Sequence, residues 1–373
     1  MRSIAELIQP VFRDAPGGFV PFETLERTAV RLGLSVDQLV KLDANENVYG
    51  PSPKALQALA SYREWNLYPD ASQMDARQAL ARYVGVDESH IILTNGGDEL
   101  IGMLCHLFLS PGDNIVECSP SFEMYGWYAR AFQAELRAAP RDESNDYAIT
   151  VGTIAAHLDA RTKLILICNP NNPTGSFMPL EQVLSLLRQD CVVMVDEAYY
   201  EFCGETVASQ VTRYDNLVVL RTMSKWAGLA GLRVGYAVAS RAIADQLWKL
   251  KDPFNVNLAG QIATVASVSD AAYLLANVRK IVEERDRLYQ ALRRFPFLRV
   301  YPSRGNFILC RVLVGSARAL RSDLERAGIL VRLFDKPALR NALRFTVGRP
   351  EHTDRIAAAL ERYCPSSDGP GVG

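Results

Sequence analysis

Residues 221–233 read Arg221-Thr222-Met223-Ser224-Lys225-Trp226-Ala227-Gly228-Leu229-Ala230-Gly231-Leu232-Arg233, and the rest of the chain is organised around them. The apolar, β-branched run at 216–220 predicts a buried strand that ends here. The hydroxyls of Thr222 and Ser224 therefore emerge at a strand end, followed at once by Lys225 and a glycine-spaced loop. Two hydroxyls and Arg233 can hold a phosphate group, and the lysine between them can capture an aldehyde as a Schiff base.

This combination is what a pyridoxal 5'-phosphate enzyme requires, and it predicts that cofactor. The alternative interpretation of Lys225 is a solvated surface charge, since most lysines are exposed. The rest of the sequence favours the cofactor interpretation.

Length, composition and charge exclude several classes of protein. The chain has 373 residues, 49% of them hydrophobic and 22% charged, which indicates two globular domains. A net charge of −1 gives no excess of positive charge that would indicate binding to nucleic acid or to an anionic membrane. Seven scattered cysteines and four histidines show no disulfide or metal-ligand spacing, so no metal site is predicted. No apolar run reaches the roughly 18 residues of a membrane span, and no signal-peptide core is visible, so we expect a soluble cytoplasmic protein.

Apolar runs alternate with helical patterns from about residue 75 onward, which predicts a mostly parallel sheet covered by helices on both faces. Such sheets bind ligands beyond the carboxyl ends of their strands. Five predicted strand-end loops carry groups suited to a phosphorylated ring: Thr94–Asp98, Ser119–Phe122, Asn169–Gly175, Asp196–Tyr199 and Thr222–Lys225. Beyond residue 257 the pattern changes to that of a smaller α+β domain.

The strand-end side chains predict the parts of a cofactor site. Asp196 follows a buried strand directly, where a carboxylate can keep a pyridine nitrogen protonated; the alternative is a helix cap. Asn172 and Tyr199 would hydrogen-bond the phenolic oxygen of the ring, although the loop around Asn172 also has the composition of a simple turn. Phe122 can stack on the ring or belong to the core. The segment Gly96-Gly97-Asp98 opens a helix whose free N–H groups suit a phosphate.

Taken together, the segments resemble the fold type I aminotransferases of classes I and II, and within them the histidinol-phosphate aminotransferase branch. The resemblance runs from about Lys41 to Glu361. The motifs that carry it at the branch level are Lys41–Pro53, Leu67-Tyr68-Pro69-Asp70, Asn95–Glu99, Pro253–Asn257 and Leu343–Gly348.

The resemblance implies an α/β fold with two domains. A large domain, residues 46–255, would hold a mostly parallel seven-stranded sheet sandwiched by helices, and residues 256–364 would form a smaller α+β domain. Residues 1–45 would be an arm that packs with the small domain and the partner subunit. The tail at 365–373 is rich in Pro, Gly and Ser, and this composition by itself predicts disorder.

The resemblance also implies roles for individual residues. Lys225 would carry the cofactor and move the proton, with Asp196 on the pyridine nitrogen and Asn172 and Tyr199 on the phenolic oxygen. The cofactor phosphate would be held by Gly97, Asp98, Thr222, Ser224 and Arg233, with Tyr68 contributed by the second subunit of a homodimer.

Substrate contacts are implied at four further positions. Arg344 would grip a substrate α-carboxylate through a bidentate fork, and Arg332 would meet the substrate phosphate. Asn306 and Asn45 would also contact substrate. The alternative for either arginine is a solvated charge at a strand end.

The predicted activity is a ping-pong transamination between a small-molecule amino donor and a keto acid. It would convert histidinol phosphate and 2-oxoglutarate to imidazole acetol phosphate and glutamate. An aromatic amino-acid aminotransferase and a threonine-phosphate decarboxylase remain as alternatives on the same scaffold. A non-catalytic regulatory module would need a broken lysine–aspartate pair or a DNA-binding appendage, and neither is visible. A Rossmann dehydrogenase is excluded because no Gly-x-Gly-x-x-Gly follows an early strand.

Overall fold

The computed structural model describes residues 3–13, 23–334 and 336–364. The predicted tail at 365–373 and parts of the predicted arm, residues 1–2 and 14–22, lie outside these ranges.

The described residues contain twelve strands, numbered here in chain order: β1 (Val40–Leu42), β2 (Ile91–Thr94), β3 (Asn114–Ser119), β4 (Glu135–Pro140), β5 (Thr162–Cys168), β6 (Val192–Asp196), β7 (Leu217–Thr222), β8 (Gly235–Ala239), β9 (Leu298–Val300), β10 (Phe307–Val312), β11 (Ile329–Phe334) and β12 (Ala342–Thr346).

Fifteen α-helices lie in the same residues: α1 (Ile4–Leu7), α2 (Pro10–Arg13), α3 (Leu25–Leu32), α4 (Pro53–Ser61), α5 (Met74–Val84), α6 (Gly97–Phe108), α7 (Met124–Ala131), α8 (Val151–Ala155), α9 (Leu180–Leu186), α10 (Tyr200–Cys203), α11 (Arg241–Leu250), α12 (Leu258–Ser269), α13 (Ala271–Arg293), α14 (Ala317–Arg326) and α15 (Pro350–Glu361).

The larger sheet has seven strands in the order β2-β8-β7-β6-β5-β3-β4. Strand β8 runs antiparallel to both of its neighbours, and the other pairs are parallel. The predicted mostly parallel, seven-stranded sheet is therefore confirmed. The central strands are buried on both faces, which explains why their sequences are continuous apolar runs. Alternate residues face opposite sides, so Val193 and Val195 join one core cluster while Met194 joins another.

Strand β4 is the element of this sheet that the sequence pattern does not predict. It lies at the edge beside β3, and most of its residues are exposed or half-buried. Glu135, Arg137 and Pro140 are residues that sheets place at edges, where they discourage pairing with another chain. Because the strand has no continuous apolar run, its sequence does not predict a strand.

The smaller sheet has five strands in the order β1-β11-β12-β10-β9. Strand β1 runs parallel to β11, so the end of the predicted arm joins the sheet built by the C-terminal part of the chain. The other neighbours are antiparallel. Helix α12 packs against α4 and α5. The exact domain bounds stay predictions.

Within the described ranges, no single helix is both long enough and apolar enough to cross a membrane. Helices α12 and α13 meet both conditions only as a pair, and the pair is bent by 81°. The same residues contain no group of three or more His, Cys, Asp or Glu side chains that could hold a metal ion.

Candidate active site

Lys225 lies in the loop that follows β7, three residues beyond Thr222 at the end of that strand. Its Nζ donates a hydrogen bond to the carbonyl oxygen of Ala44 at 3.0 Å. Burial, and secondly the nearby charge of Arg344, lower the pKa of Lys225 to about 8. A lysine whose pKa is lowered in this way is a better nucleophile near neutral pH, because more of it is the free amine.

Asp196 is the last residue of β6 and is 5% exposed. One carboxylate oxygen, Oδ2, accepts a hydrogen bond from the hydroxyl of Tyr125 at 2.7 Å, and Oδ1 accepts from the backbone N–H of Ala198 at 3.0 Å. Burial raises the pKa of Asp196 to about 6, and these two donors oppose that rise. The N-cap of the following helix α10 is Tyr199, so Asp196 does not serve as its cap.

The predicted phosphate-binding groups come together at one edge of the larger sheet. Across β7 and β8, Thr222 is paired with Gly235, and Gly235 is paired in turn with Thr94 of β2. The start of α6, at Gly97, comes three residues after Thr94. The hydroxyl of Thr222 therefore shares this edge with the N-terminus of α6, where unpaired backbone N–H groups attract anions.

Arg233 contacts the start of α6 directly. Its Nη2 forms an ion pair with Oδ2 of Asp98 at 3.2 Å. Gly96 has a φ of +80°, and a Cβ atom at that position would collide with Nη2 of Arg233. Glycine is therefore required there both for its backbone conformation and for the close approach of the guanidinium. The Thr222 hydroxyl donates to the carbonyl of Val234 at 3.1 Å, which ties it to the residue beside Arg233.

Arg344 is a buried guanidinium on β12. It donates from Nη1 to Oδ1 of Asn172 and from Nη2 to the carbonyl oxygen of Asp43 at 2.8 Å. Its Nε has no hydrogen-bond partner among the described residues. Burial lowers the pKa of Arg344 to about 10, and the charge of Arg332 adds to this effect. An arginine that remains charged at neutral pH with an unsatisfied donor is well suited to binding an anion.

Arg332 lies directly opposite Arg344, on the neighbouring antiparallel strand β11. Residues paired in this way project from the same face of a sheet, and two like charges in such a pair repel each other. An anion placed beside the pair would relieve that repulsion. The anion-binding role of both residues stays a prediction, and their pairing is the observation that supports it.

Asn45 connects Tyr199 with Asn306. Its φ is 54°, in the left-handed region that asparagine tolerates better than most residues. Its side-chain Nδ2 donates to the hydroxyl of Tyr199 at 2.9 Å, and its backbone carbonyl oxygen accepts from Nδ2 of Asn306 at 3.1 Å. Burial raises the pKa of Tyr199, so this hydroxyl stays protonated and can donate. Oδ1 of Asn306 is buried without a partner among the described residues.

Tyr68 and Phe122, two further residues predicted for the cofactor site, contact other aromatic rings. The ring of Tyr68 stacks on Phe254 with centroids 4.6 Å apart, and Tyr68 is 81% exposed on the surface of the chain. Phe122 lies in the loop after β3 and meets the ring of Tyr125 edge-on at 5.7 Å, while it packs against the apolar core. Both alternatives for Phe122, ring stacking and core packing, therefore remain compatible with its position.

Sequence reasoning missed Tyr125 and the backbone carbonyls of Asp43 and Ala44. Tyr125 follows Phe122 by three residues, about one helical turn, and this spacing from a strand-end aromatic is a signal that could have pointed to it. The carbonyls carry no side-chain signal and are recognisable only in three dimensions.

Comparison with known proteins identifies the family of the chain. Residues 37–360 match the family model described as aminotransferase class I and II, and the chain belongs to this family. It is 46% identical over 323 residues to the histidinol-phosphate aminotransferase of Dehalococcoides mccartyi, covering 87% of this chain and 90% of that protein. It is 44% identical over 367 residues to the histidinol-phosphate aminotransferase of Roseiflexus castenholzii, covering 96% and 98%.

A crystal structure of histidinol-phosphate aminotransferase from Sinorhizobium meliloti in complex with pyridoxal-5'-phosphate matches the fold with a TM-score of 0.85. The identity is 26%, and the match covers 95% of this chain and 96% of that one. The predicted family and its fold are thus confirmed, while the roles of individual residues stay predictions.

Proposed function

We propose that the protein is a pyridoxal 5'-phosphate-dependent aminotransferase of histidine biosynthesis. The proposed reaction converts histidinol phosphate and 2-oxoglutarate to imidazole acetol phosphate and glutamate. The family match and the relatives at 44–46% identity support this class and this substrate.

The observation that carries the substrate assignment is the pairing of Arg332 with Arg344 across β11 and β12. A transaminase that works on histidinol phosphate and glutamate must bind two different anions at one place in turn. Glutamate presents an α-carboxylate, whereas histidinol phosphate has no carboxylate and presents a phosphate. Two adjacent guanidinium groups can serve both, because each can form paired hydrogen bonds with either anion.

The residues of the site fit pyridoxal phosphate. The amine of Lys225 can take the aldehyde, and the buried carboxylate of Asp196 retains lone pairs for a ring N–H. The N-terminus of α6, Arg233 and the Thr222 hydroxyl can hold the phosphate. When bound, pyridoxal phosphate supplies an aldehyde for the amino group and a ring that takes up the electron pair left at the substrate Cα.

The chain itself contributes positioning and proton transfer. Nζ of Lys225 would move the proton from the substrate Cα, a step that general acid–base catalysis accelerates by about 10²–10⁴-fold. Asp196 would keep the ring nitrogen protonated, since an adjacent anion favours the charged form of a base. Asn172 would connect the ring to the substrate anion, because its side chain accepts from Arg344.

We further propose a cytoplasmic homodimer in which Tyr68 reaches the cofactor site of the partner subunit. The support is an exposed apolar surface at Leu67, Tyr68 and Phe254, which a second copy would cover. The large domain would span residues 46–255, the small domain 256–364, and the arm 1–45 would pack with the small domain and the partner. All seven cysteines are free, as expected in a reducing compartment.

The test is a set of single half-reactions. The cofactor-loaded protein is mixed separately with histidinol phosphate, phenylalanine, threonine phosphate and glutamate, the absorbance of the bound cofactor is followed, and products are analysed. Fast conversion by histidinol phosphate and glutamate alone is expected. A preference for phenylalanine would replace the proposal with an aromatic aminotransferase, and release of CO₂ from threonine phosphate would replace it with a decarboxylase.

A further inference from the structure

Tyr125 is a fully buried residue that contacts Asp196 and has no part in the proposed cofactor binding or proton transfer. It belongs to α7 and has no exposed surface. Its hydroxyl donates to Oδ2 of Asp196 at 2.7 Å, a normal length for an O–H···O hydrogen bond. Burial of a tyrosine hydroxyl without a hydrogen-bond partner costs free energy of folding. The bond to Asp196 therefore stabilises the hydroxyl at this position.

The two donors to Asp196 fix the plane of its carboxylate. Tyr125 holds Oδ2, and the backbone N–H of Ala198 holds Oδ1. A carboxylate offers about four lone-pair positions, so each oxygen keeps one for a further donor. The open positions are those that a ring N–H would need. Removal of the Tyr125 hydroxyl would leave Asp196 held at one oxygen and free to rotate.

The surroundings of Asp196 otherwise favour its neutral form. Burial and the carboxylates of Asp98 on α6 and Glu197 on the same strand end all raise its pKa. The thiol of Cys168, its partner across β5 and β6, is also close, and burial raises the pKa of that thiol so that it stays uncharged. Tyr125 is the strongest of the groups that oppose protonation of Asp196.

We propose that Tyr125 is a positioning residue, whose hydroxyl keeps Asp196 ionised and oriented toward the pyridine nitrogen of the cofactor. The inference rests on the proposed function, because only a cofactor with a ring nitrogen needs an ionised carboxylate at this place. A neutral Asp196 would lose the charge that holds the ring nitrogen in its protonated form.

The test variant is Tyr125→Phe, which removes the hydroxyl and keeps the ring. The matched control is Tyr236→Phe, because Tyr236 is also fully buried and its hydroxyl faces Arg221 and not Asp196. Thermal unfolding of both variants checks that each is folded.

The first readout uses the apo protein. The carboxyl stretching band of Asp196 is followed by infrared difference spectroscopy against pH, with Asp196→Asn to assign the band. Loss of a hydrogen bond to a charged group is expected to raise the pKa of Asp196 by about one to two units in Tyr125→Phe and to leave it unchanged in Tyr236→Phe. An unchanged pKa in Tyr125→Phe would overturn the inference even if the wild-type protein binds the cofactor well.

The second readout compares two ligands by equilibrium dialysis: pyridoxal phosphate and 1-deazapyridoxal phosphate, in which a carbon replaces the ring nitrogen. Tyr125→Phe is expected to bind pyridoxal phosphate about tenfold more weakly, increasingly so from pH 8 to pH 6, and to bind the deaza analogue as the wild type does. Equal weakening of both ligands would mean that Tyr125 serves only the packing of the core.

Failure of the wild-type protein to bind pyridoxal phosphate would refute the proposed function and the cofactor-related half of the inference. The infrared measurement would still decide whether Tyr125 controls the ionisation of Asp196, so the two failures are distinguishable.

Discussion

The amine of Lys225 donates to the carbonyl oxygen of Ala44 across 3.0 Å, although 181 positions separate the two residues in the sequence. The carbonyls on either side of Ala44 do the same for other site residues: that of Asp43 accepts from Arg344, and that of Asn45 accepts from Asn306. Three successive carbonyls thus hold three predicted site side chains. Because β1 immediately precedes them, the smaller sheet is connected directly to the lysine on the larger one.

Replacement of Lys225 by alanine is expected to abolish turnover while the protein still binds pyridoxal phosphate non-covalently. The lysine is the group that would move the proton at Cα, and loss of a general acid–base costs about 10²–10⁴-fold in rate. Steady-state kinetics measure the loss, and dialysis measures retention of the cofactor. Lys249→Ala is the control, since Lys249 donates to an exposed glutamine, Gln246, on its own helix. A Lys225→Ala variant with near-normal turnover would rule out the assignment.

The pH dependence of cofactor capture should reflect the lowered pKa of Lys225. Only the neutral amine attacks an aldehyde, so the capture rate should rise as the pH increases and level off above about pH 8, where the pKa of Lys225 lies. Because Arg344 contributes to the lowering, Arg344→Met should move the midpoint to higher pH. Stopped-flow absorbance of the apo protein mixed with pyridoxal phosphate gives both curves. A rate that still rises steeply above pH 10 in the wild type would contradict the prediction.

Arg332→Ala is expected to raise KM for histidinol phosphate far more than KM for glutamate. The physical reason is that the phosphate dianion gains more than a carboxylate monoanion from a second guanidinium beside Arg344. Both values come from half-reaction kinetics on the same preparation. Arg340→Ala, which removes an exposed arginine between the two strands that carry the pair, is the control. Equal increases for both substrates would remove the phosphate-binding role.

The sequence predicted the parts of the site that depend on one strand end at a time. Lys225 and Asp196 follow β7 and β6 directly, and a buried parallel strand leaves a recognisable apolar run before each. The parts of the site that the sequence did not predict depend on contacts between segments that are distant in the chain. In the sequence Tyr125 is an ordinary aromatic residue of a helix, and its hydrogen bond to Asp196 is visible only in three dimensions. The carbonyl of Ala44 has no sequence signature. Strand β4 was not predicted because its side chains are those of an edge strand and not of a buried one.

A buried ion pair behind the site gives a prediction for stability. Arg221 donates from both Nε and Nη2 to Oε2 of Glu197, and the two side chains are only 3% and 2% exposed. Arg221→Met would leave a buried, unpaired carboxylate and is expected to cost about 3–5 kcal/mol of unfolding free energy. Adding Glu197→Gln to that variant should recover much of the loss, because no uncompensated charge remains.

Urea denaturation of the single and double variants, analysed as a double-mutant cycle, measures this coupling. Arg241→Met provides the control, since the exposed pair of Arg241 with Asp245 is expected to contribute about 0.5 kcal/mol or less. A double variant that is no more stable than Arg221→Met would show that the charge of Glu197 is not the source of the loss.

Tyr68 gives a test of the homodimer that does not depend on measuring mass. If Tyr68 acts in the partner's site, Tyr68→Ala and Lys225→Ala should each be inactive as pure homodimers and should regain activity when the two are unfolded together and refolded as a mixture. In a mixed dimer, the site with an intact Lys225 belongs to the Tyr68→Ala subunit and receives an intact tyrosine from the other subunit. Random pairing makes half of the dimers mixed, with one good site in each, so about a quarter of wild-type activity is expected.

The control for this complementation is a mixture of Lys225→Ala with Asp196→Asn. Both residues belong to the same chain's site, so a mixed dimer of these two variants contains no intact site and should stay inactive. Recovery with Tyr68→Ala but not with Asp196→Asn would assign the tyrosine to the partner's site. Absence of recovery in both mixtures, with dimers present by size-exclusion chromatography, would confine Tyr68 to its own chain, where its ring stacks on Phe254.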